Sequence, residues 1–283
     1  MIISRISSAG YQYKSSMISN GYLMNEETVK KAKYFWNLSN IQITLDGTEK
    51  IYNKVKNYIY KDNPNPFKTI IDNIHHLLNN NILVSVRMNC DKHNEEDLKE
   101  LVKYLSEEFK GENNFSMYVW PIFEEGFKRS SEDHKKLYKT LEEIEKLIVE
   151  NGYPLSHNIE NDIKGIHCMV DSGNGVLISP NGDLGLCEHY IDSRFFSHID
   201  NPDKKDFEEI KTWRNYRPYG DICQSCPLYP ICLRMKDCPD DFDCDEIVYN
   251  YKIHHAQMDM ENSYRNFLKG NVQCQNSACC NKH

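Results

Sequence analysis

The chain has 283 residues, 40% hydrophobic and 27% charged, which suits one or two globular domains with ample core. No stretch approaches the ~18 consecutive apolar residues of a membrane span, and Met1-Ile-Ile-Ser-Arg5 opens no signal-peptide pattern. A net charge of −8 argues against a general nucleic-acid binder, which leans basic.

Residues Met1 to Lys14 carry no clear element, and Ser16 to Ser19 predicts a short first strand. Asn40-Ile-Gln-Ile-Thr-Leu45 alternates in the manner of a strand and ends at Asp46-Gly47, a turn signal. After the breaker Asn63-Pro64-Asn65-Pro66, Phe67, Ile70, Ile71, Ile74, Leu77 and Leu78 recur at helical spacing. Ile82 to Asn89 is rich in β-branched residues and predicts a buried strand. Asn94, three residues before Asp97, predicts an N-cap, with Leu98, Leu101, Val102, Leu105 and Phe109 as the apolar stripe behind it. Phe115 to Ile122 predicts another strand. Leu137, Leu141, Ile144, Leu147 and Ile148 predict a helix stopped at Gly152.

Strands alternating with helices imply an α/β fold with parallel strands joined by crossovers. If such a sheet closes as a barrel, functional groups collect at the C-terminal ends of its strands. Those ends read Ser19-Asn20-Gly21, Thr44-Leu45-Asp46-Gly47 and Arg87-Met88-Asn89. Each alone is an ordinary turn; three at the same relative position point to a site. Four strands fall short of the six or eight a barrel of this kind needs, so the sequence is expected to start partway into such a domain.

The cysteines are distributed unevenly. Cys90 is the sole one of eleven before residue 168. It ends a strand and reads as a small buried hydrophobe. Val176 to Leu186 predicts a hairpin turning at Asn181-Gly182, with Cys168 ahead of it and Cys187 at its end. Then follow Cys223-Gln-Ser-Cys226, Cys232, Cys238 and Cys244. Written as spacing, this is C-x13-G-x4-C, a gap of 35 residues, then C-x2-C-x5-C-x5-C-x5-C. Thiolates at such spacing suit iron–sulfur clusters or zinc, because a tight turn presents both sulfurs of a C-x2-C pair. Two structural zinc sites and a disulfide framework remain alternatives on spacing alone, although an intracellular chain disfavours disulfides. Cys274, Cys279 and Cys280 lie in a polar tail expected to be disordered.

The seven-cysteine spacing, with Cys226-Pro-Leu-Tyr-Pro-Ile-Cys232, resembles the SPASM domain of radical S-adenosylmethionine (SAM) enzymes. Ile18-Ser-Asn-Gly-Tyr-Leu23, Ile43-Thr-Leu-Asp-Gly47 and Val86-Arg-Met-Asn89 resemble, in order, later strand ends of the radical SAM barrel. The resemblance spans roughly residues 15 to 245. Two departures stand out. The family's Cys-x3-Cys-x2-Cys loop and its Gly-Gly-Glu-Pro-like segment are not found here, and five residues separate Cys232 from Cys238 where three are commonest.

The resemblance implies residues 1–155 as the C-terminal part of a radical SAM-type (β/α) barrel. Residues 156–268 would form a small cysteine-rich SPASM domain with a β-hairpin and a C-terminal helix, and 269–283 a polar tail. It implies two auxiliary 4Fe–4S clusters: Cys223, Cys226, Cys232 and Cys244 on one, and Cys168, Cys187 and Cys238 on the other with an open iron site. Ser19, Asn20, Thr44, Asp46, Arg87 and Asn89 would face SAM, and Glu188, beside Cys187, is a candidate base weighed against a solvated surface carboxylate. His189, His254 and His255 read as surface or helix residues. The implied activity is modification of a peptide or protein substrate after reductive cleavage of SAM, of the peptide-maturase or sulfatase-maturase type. The implied setting is the cytoplasm, without nucleic acid or membrane. The chain is expected to be the C-terminal portion of such an enzyme, a fragment or split from its N-terminal half and inactive alone, with a separate N-terminal radical SAM half as the partner in the split case. The alternative is a non-catalytic zinc- or cluster-binding module that recognises peptides.

Overall fold

The computed structural model describes residues 5–6, 8–56, 65–91, 93–122, 131–153, 168–173, 175–213, 215–216, 220–232, 237–238 and 244–268. The chain divides into two compact units, Met1–Ser156 and His157–His283. The polar tail with Cys274, Cys279 and Cys280 lies outside the described residues.

Unit 1 is built on four strands, β1 (Ser15–Ser19), β2 (Leu38–Thr44), β3 (Leu83–Cys90) and β4 (Phe115–Pro121). They pair in that order and all in parallel. Each connection carries helix: α1 (Glu26–Phe35) after β1, then α2 (Glu49–Lys56) and α3 (Pro66–Asn79) after β2. α4 (Glu95–Glu108) follows β3, and α5 (Ser131–Glu150) follows β4. Parallel strands require such crossovers, because a tight turn cannot return the chain to the same end of the sheet.

The sheet has two unlike faces. Ile43, Val86 and Met117 are fully buried on the face that the helices cover, with Ile74, Leu105 and Ile144 opposing them. Gln42, Thr44, Arg87, Asn89 and Tyr118 lie half-buried on the other face. A doubly wound sheet buries both faces and reads as continuous apolar runs. One-sided burial with clean alternation leaves the other face of this sheet to polar groups. β3 is thus an alternating strand, not the wholly buried one its β-branched content suggests: Val84, Val86 and Met88 are buried while Ser85, Arg87 and Asn89 are half-exposed.

The helix boundaries have local causes. Asn25 Oδ1 accepts from Thr28 N at 3.0 Å and starts α1. Asn65 does the same for Lys68 N at 3.0 Å, with Pro66 in the first turn where its missing N–H costs nothing. Asn94 stands at the N-cap position of α4 but makes no side-chain cap bond. Its amide is used elsewhere, donating to Asn89 O at 2.8 Å and accepting from Asp91 N at 2.9 Å.

Unit 2 has less regular structure. β5 (Leu177–Ile178), β6 (Asp183–Gly185) and β7 (Phe195–His198) form an antiparallel sheet in that order. The hairpin turns at Asn181-Gly182, as the sequence predicts, with Gly182 at φ +91°. Ser179 is buried there, its hydroxyl accepting from Asn181 N and Asp183 N at 3.2 and 3.0 Å. A short helix α6 (Phe207–Thr212) and a long C-terminal helix α7 (Glu246–Leu268) complete the unit. No described helix is long and apolar enough to cross a membrane.

Candidate functional site

In unit 1 the C-terminal ends of β1, β2 and β3 are each fastened by a side chain from a helix. Asn73 of α3, 4% exposed, donates to Gly21 O and Tyr22 O, both at 2.9 Å. The turn so held has Gly21 at φ +75°, where a Cβ would come within 3.0 Å of Ile43 Cδ1, so glycine is required twice over. After β2, the Asp97 carboxylate of α4 accepts from Thr48 N at 2.8 Å and Thr48 Oγ1 at 2.6 Å. A Cβ on Gly47 would meet Asp97 Oδ2 at 2.5 Å. After β3, Asn94 holds Asn89 O. These anchors fix the loops before any ligand arrives, which is the condition for a precise site.

On the sheet face between these loops runs a polar row. Arg87 Nε donates to Asn89 Oδ1 at 2.9 Å, and Asn89 Nδ2 donates to Asp46 Oδ1 at 2.8 Å. Lys56 Nζ stands 3.7 Å from Asp46 Oδ2. Across the sheet, Tyr118 pairs in register with Arg87, and its hydroxyl donates to Gln42 Oε1 at 2.6 Å. Burial pushes the Tyr118 phenol up, opposed by the Arg87 guanidinium beside it. A guanidinium carries five N–H donors in a planar fork suited to carboxylates, and Asn89 orients that fork through Nε. Amide, hydroxyl and carboxylate groups alongside suit a polar, hydroxylated ligand.

Unit 2 carries the thiols. Cys168 begins a single helical turn, its Sγ accepting from Val170 N at 3.4 Å. Cys187 is 8% exposed and opens the 3-10 turn Glu188–Tyr190. Two further 3-10 turns, Asp221–Ser225 and Tyr229–Ile231, display Cys223, Cys226 and Cys232, with Cys226 N donating to Cys223 O at 3.4 Å. Cys244 lies two residues before α7, whose first turn Asp245 caps through Val248 N at 2.9 Å. Burial pushes the Cys244 thiol up; Lys252 opposes this, and Cys232, Cys226 and Cys223 reinforce it. Among the described residues no group of three or more Cys, His, Asp or Glu is placed to hold a metal ion. Cys168, Cys223, Cys226, Cys232 and Cys244 are in no disulfide. Thiols are soft donors of the type that suit zinc or an iron–sulfur cluster.

No protein-family model matches the chain, and no curated protein matches it. Solved structures do. One is native anSMEcpe, an anaerobic sulfatase-maturating enzyme, with bound AdoMet: 15% identity over 94% of this chain and 77% of that one, TM-score 0.57. Another is the same protein with AdoMet and the Cp18Cys peptide, at 15% identity over 95% and 80%, TM-score 0.56. A third is Streptococcus suis SuiB bound to S-adenosylmethionine, at 15% identity over 83% and 59%, TM-score 0.51. The α/β fold, a parallel four-strand sheet with helices, matches that of these radical SAM-type structures. At this identity the likeness speaks for architecture alone.

Within that architecture Asp46, Arg87 and Asn89 form one connected network, and Thr44 pairs with Arg87 in register on the same face. Ser19 does not join them. It pairs with fully buried Ile43, which turns it to the helix-covered side, and its Oγ accepts from Gly21 N at 3.1 Å. Asn20 caps the turn, accepting from Tyr22 N at 3.1 Å. Glu188 and His189 are exposed, the solvated setting weighed against a base at the sequence level. His255 packs along α7, 3.6 Å from buried Asp259. Cys90 is fully buried, as expected of a small hydrophobe. Sequence reasoning missed Asn73, Asp97 as a loop anchor, Gln42 and Tyr118. The alternation of β2 contains Gln42, two residues before Thr44, and Tyr118 shares the face as the register partner of Arg87 on the neighbouring strand. Asn73 and Asp97 leave no such trace, because their partners are distant in the chain.

Proposed function

We propose that this chain belongs to a radical SAM enzyme that modifies a peptide or protein, of the peptide-maturase or sulfatase-maturase type. The observation that carries the reading is the likeness over 94% of the chain to a structure solved with AdoMet. A second structure of that protein holds a peptide as well. SAM would lie over the polar row of unit 1. Arg87, oriented by Asn89, would take its carboxylate, while Thr44, Asp46 and Asn20 would meet its hydroxyl and amino groups. Ser19 would act through the turn, by holding Gly21.

In unit 2, Cys223, Cys226, Cys232 and Cys244 would hold one auxiliary 4Fe–4S cluster, and Cys168, Cys187 and Cys238 the other, leaving an iron site open to a further ligand. Such clusters supply electron transfer or substrate ligation; the chain supplies thiolates, shielding from water and fixed turns. Glu188, exposed beside Cys187, would meet a substrate proton only where the substrate covers it. Cys90 is the sole cysteine before Cys168 in this sequence, so reductive SAM cleavage needs a Cys-x3-Cys-x2-Cys loop from residues other than these, in the same protein or in a separate N-terminal radical SAM half. Unpaired thiols are compatible with a reducing compartment, and the cytoplasm is the proposed one.

The test is anaerobic reconstitution with ferrous iron and sulfide. About eight irons per chain are expected, two clusters of four. SAM should bind by calorimetry, and cleavage should require the added loop-bearing chain. A colourless, zinc-loaded protein that ignores SAM would leave a non-catalytic module that recognises peptides, the reading its cysteine spacing also permits.

A further inference from the structure

Unit 2 contains an assembly that includes none of the site residues above. Arg194, just before β7, has φ +58°, a left-handed conformation that a long side chain keeps only when its surroundings hold it there. Here they do. Its Nε donates to Glu209 Oε1 at 2.8 Å, its Nη1 to Asp237 Oδ2 at 3.1 Å and its Nη2 to Thr212 Oγ1 at 2.7 Å. The guanidinium carbon stands 3.9 Å over the Trp213 ring and 5.3 Å from the Tyr190 ring. Those two rings meet edge to face at 5.2 Å, and Trp213 is 2% exposed. Every nitrogen of the guanidinium has a partner.

The position of this clamp in the chain gives it a purpose. Tyr190 ends the 3-10 turn that Cys187 opens, and its hydroxyl donates to Asp237 O at 2.9 Å. Asp237 immediately precedes Cys238. Tyr190 therefore grips the main chain of that residue while Arg194 grips its side chain. Two cysteines far apart in sequence are thus tied through Tyr190, three residues after Cys187, and Asp237, next to Cys238.

We infer that Arg194 and Tyr190 are positioning residues that hold Cys187 and Cys238 at one thiolate site before metal arrives. The inference rests on the cluster reading above and deepens it, by naming what assembles the three-cysteine site. Buried partners that orient a metal ligand commonly change metal affinity by about 10–100-fold when removed, without touching the metal. The guanidinium fork is what spans Glu209, Thr212 and Asp237 together; a lysine ammonium is a point charge and reaches one of them.

The experiment uses the full chain, metal-free and anaerobic, with a short bis-maleimide as the probe. Cross-linking of Cys187 to Cys238, read by peptide mass, should be efficient in the parent and fall several-fold in Tyr190→Phe and Arg194→Lys. Tyr190→Phe keeps the ring stack and removes one hydroxyl, so its fold is preserved. Glu209→Gln, which leaves both bonds to Asp237, should cross-link like the parent. After reconstitution, the two clamp variants should hold about four irons where the parent holds about eight, with the paramagnetic signal of one cluster retained. Unchanged cross-linking overturns the inference, as does lost cross-linking with full iron. If the parent takes up no iron, the cluster reading fails, and the cross-linking ratio still decides the clamp.

Discussion

Unit 1 buries Ile43, Val86, Leu105 and Met117 completely beneath its helices, whereas the buried apolar residues described in unit 2 are Leu184, Cys187, Trp213, Val248 and Ala256. Each fully buried aliphatic side chain contributes about 1.5–3 kcal/mol, so among the described residues unit 1 carries much more hydrophobic stabilisation than unit 2. The two regions also differ in how their functional groups are held. Asn73, Asp97 and Asn94 fix the strand ends of unit 1 with hydrogen bonds from its own helices. The thiols of unit 2 sit on 3-10 turns and short segments, with the Arg194 clamp as their clearest internal tie. Small cysteine-rich units commonly draw part of their folding energy from metals or disulfides.

The strongest way to break this contrast is to remove the proposed metal. Structural metal in small cysteine-rich units contributes on the order of 10 kcal/mol to folding. Chelation of reconstituted protein should make residues beyond 157 sensitive to limited proteolysis, while a fragment covering β1 to β4 survives. Equal digestion of both units after chelation would remove the distinction. Substitution in the apolar core probes the other side. Leu105→Ala should cost unit 1 about 2–5 kcal/mol by urea denaturation and leave the iron content unchanged.

Smaller effects separate the anchors from the core. Asp97→Ala strands Thr48 N and Oγ1 and should cost about 1–3 kcal/mol, with SAM affinity falling several-fold by calorimetry. A loss of stability with unchanged SAM affinity would mean that the loop after β2 is only structural. Asp97→Asn keeps an acceptor and should recover most of the stability.

These anchors also mark where the sequence stops being informative. The strand–helix alternation of unit 1 was legible because period-2 and period-3.6 patterns are local properties. β2, β3, β4 and the hairpin at Asn181-Gly182 lie where those patterns put them. α1 was not anticipated: Val29 and Ala32 are its buried residues, too few to make a stripe. The six residues proposed to face SAM share one motif reading but not one environment. Arg87, Asn89 and Asp46 connect, whereas register turns Ser19 to the opposite face. A single-residue step in a strand reverses the face, and a motif gives the position without the pleat. The Arg194 clamp joins residues from three separate segments around one guanidinium, a geometry without any periodic trace.

The smallest effect concerns alkaline pH. Burial pushes the Tyr104 phenol of α4 up to about 12, with the Glu108, Glu49 and Asp72 carboxylates adding to the shift. A phenol raised in the folded state stabilises it fully below its ordinary value near 10. That contribution is lost as pH rises from there through 12, because the unfolded chain ionises first. Tyr104 is 40% exposed, so solvent screens the interaction and the effect is modest. Ultraviolet titration should show a late-ionising tyrosine in the parent that Tyr104→Phe lacks. Unit 1 stability should then fall less steeply above pH 10 in the variant than in the parent. Identical alkaline slopes would assign the loss of stability to other groups, such as the Tyr118 and Tyr153 phenols that burial also raises.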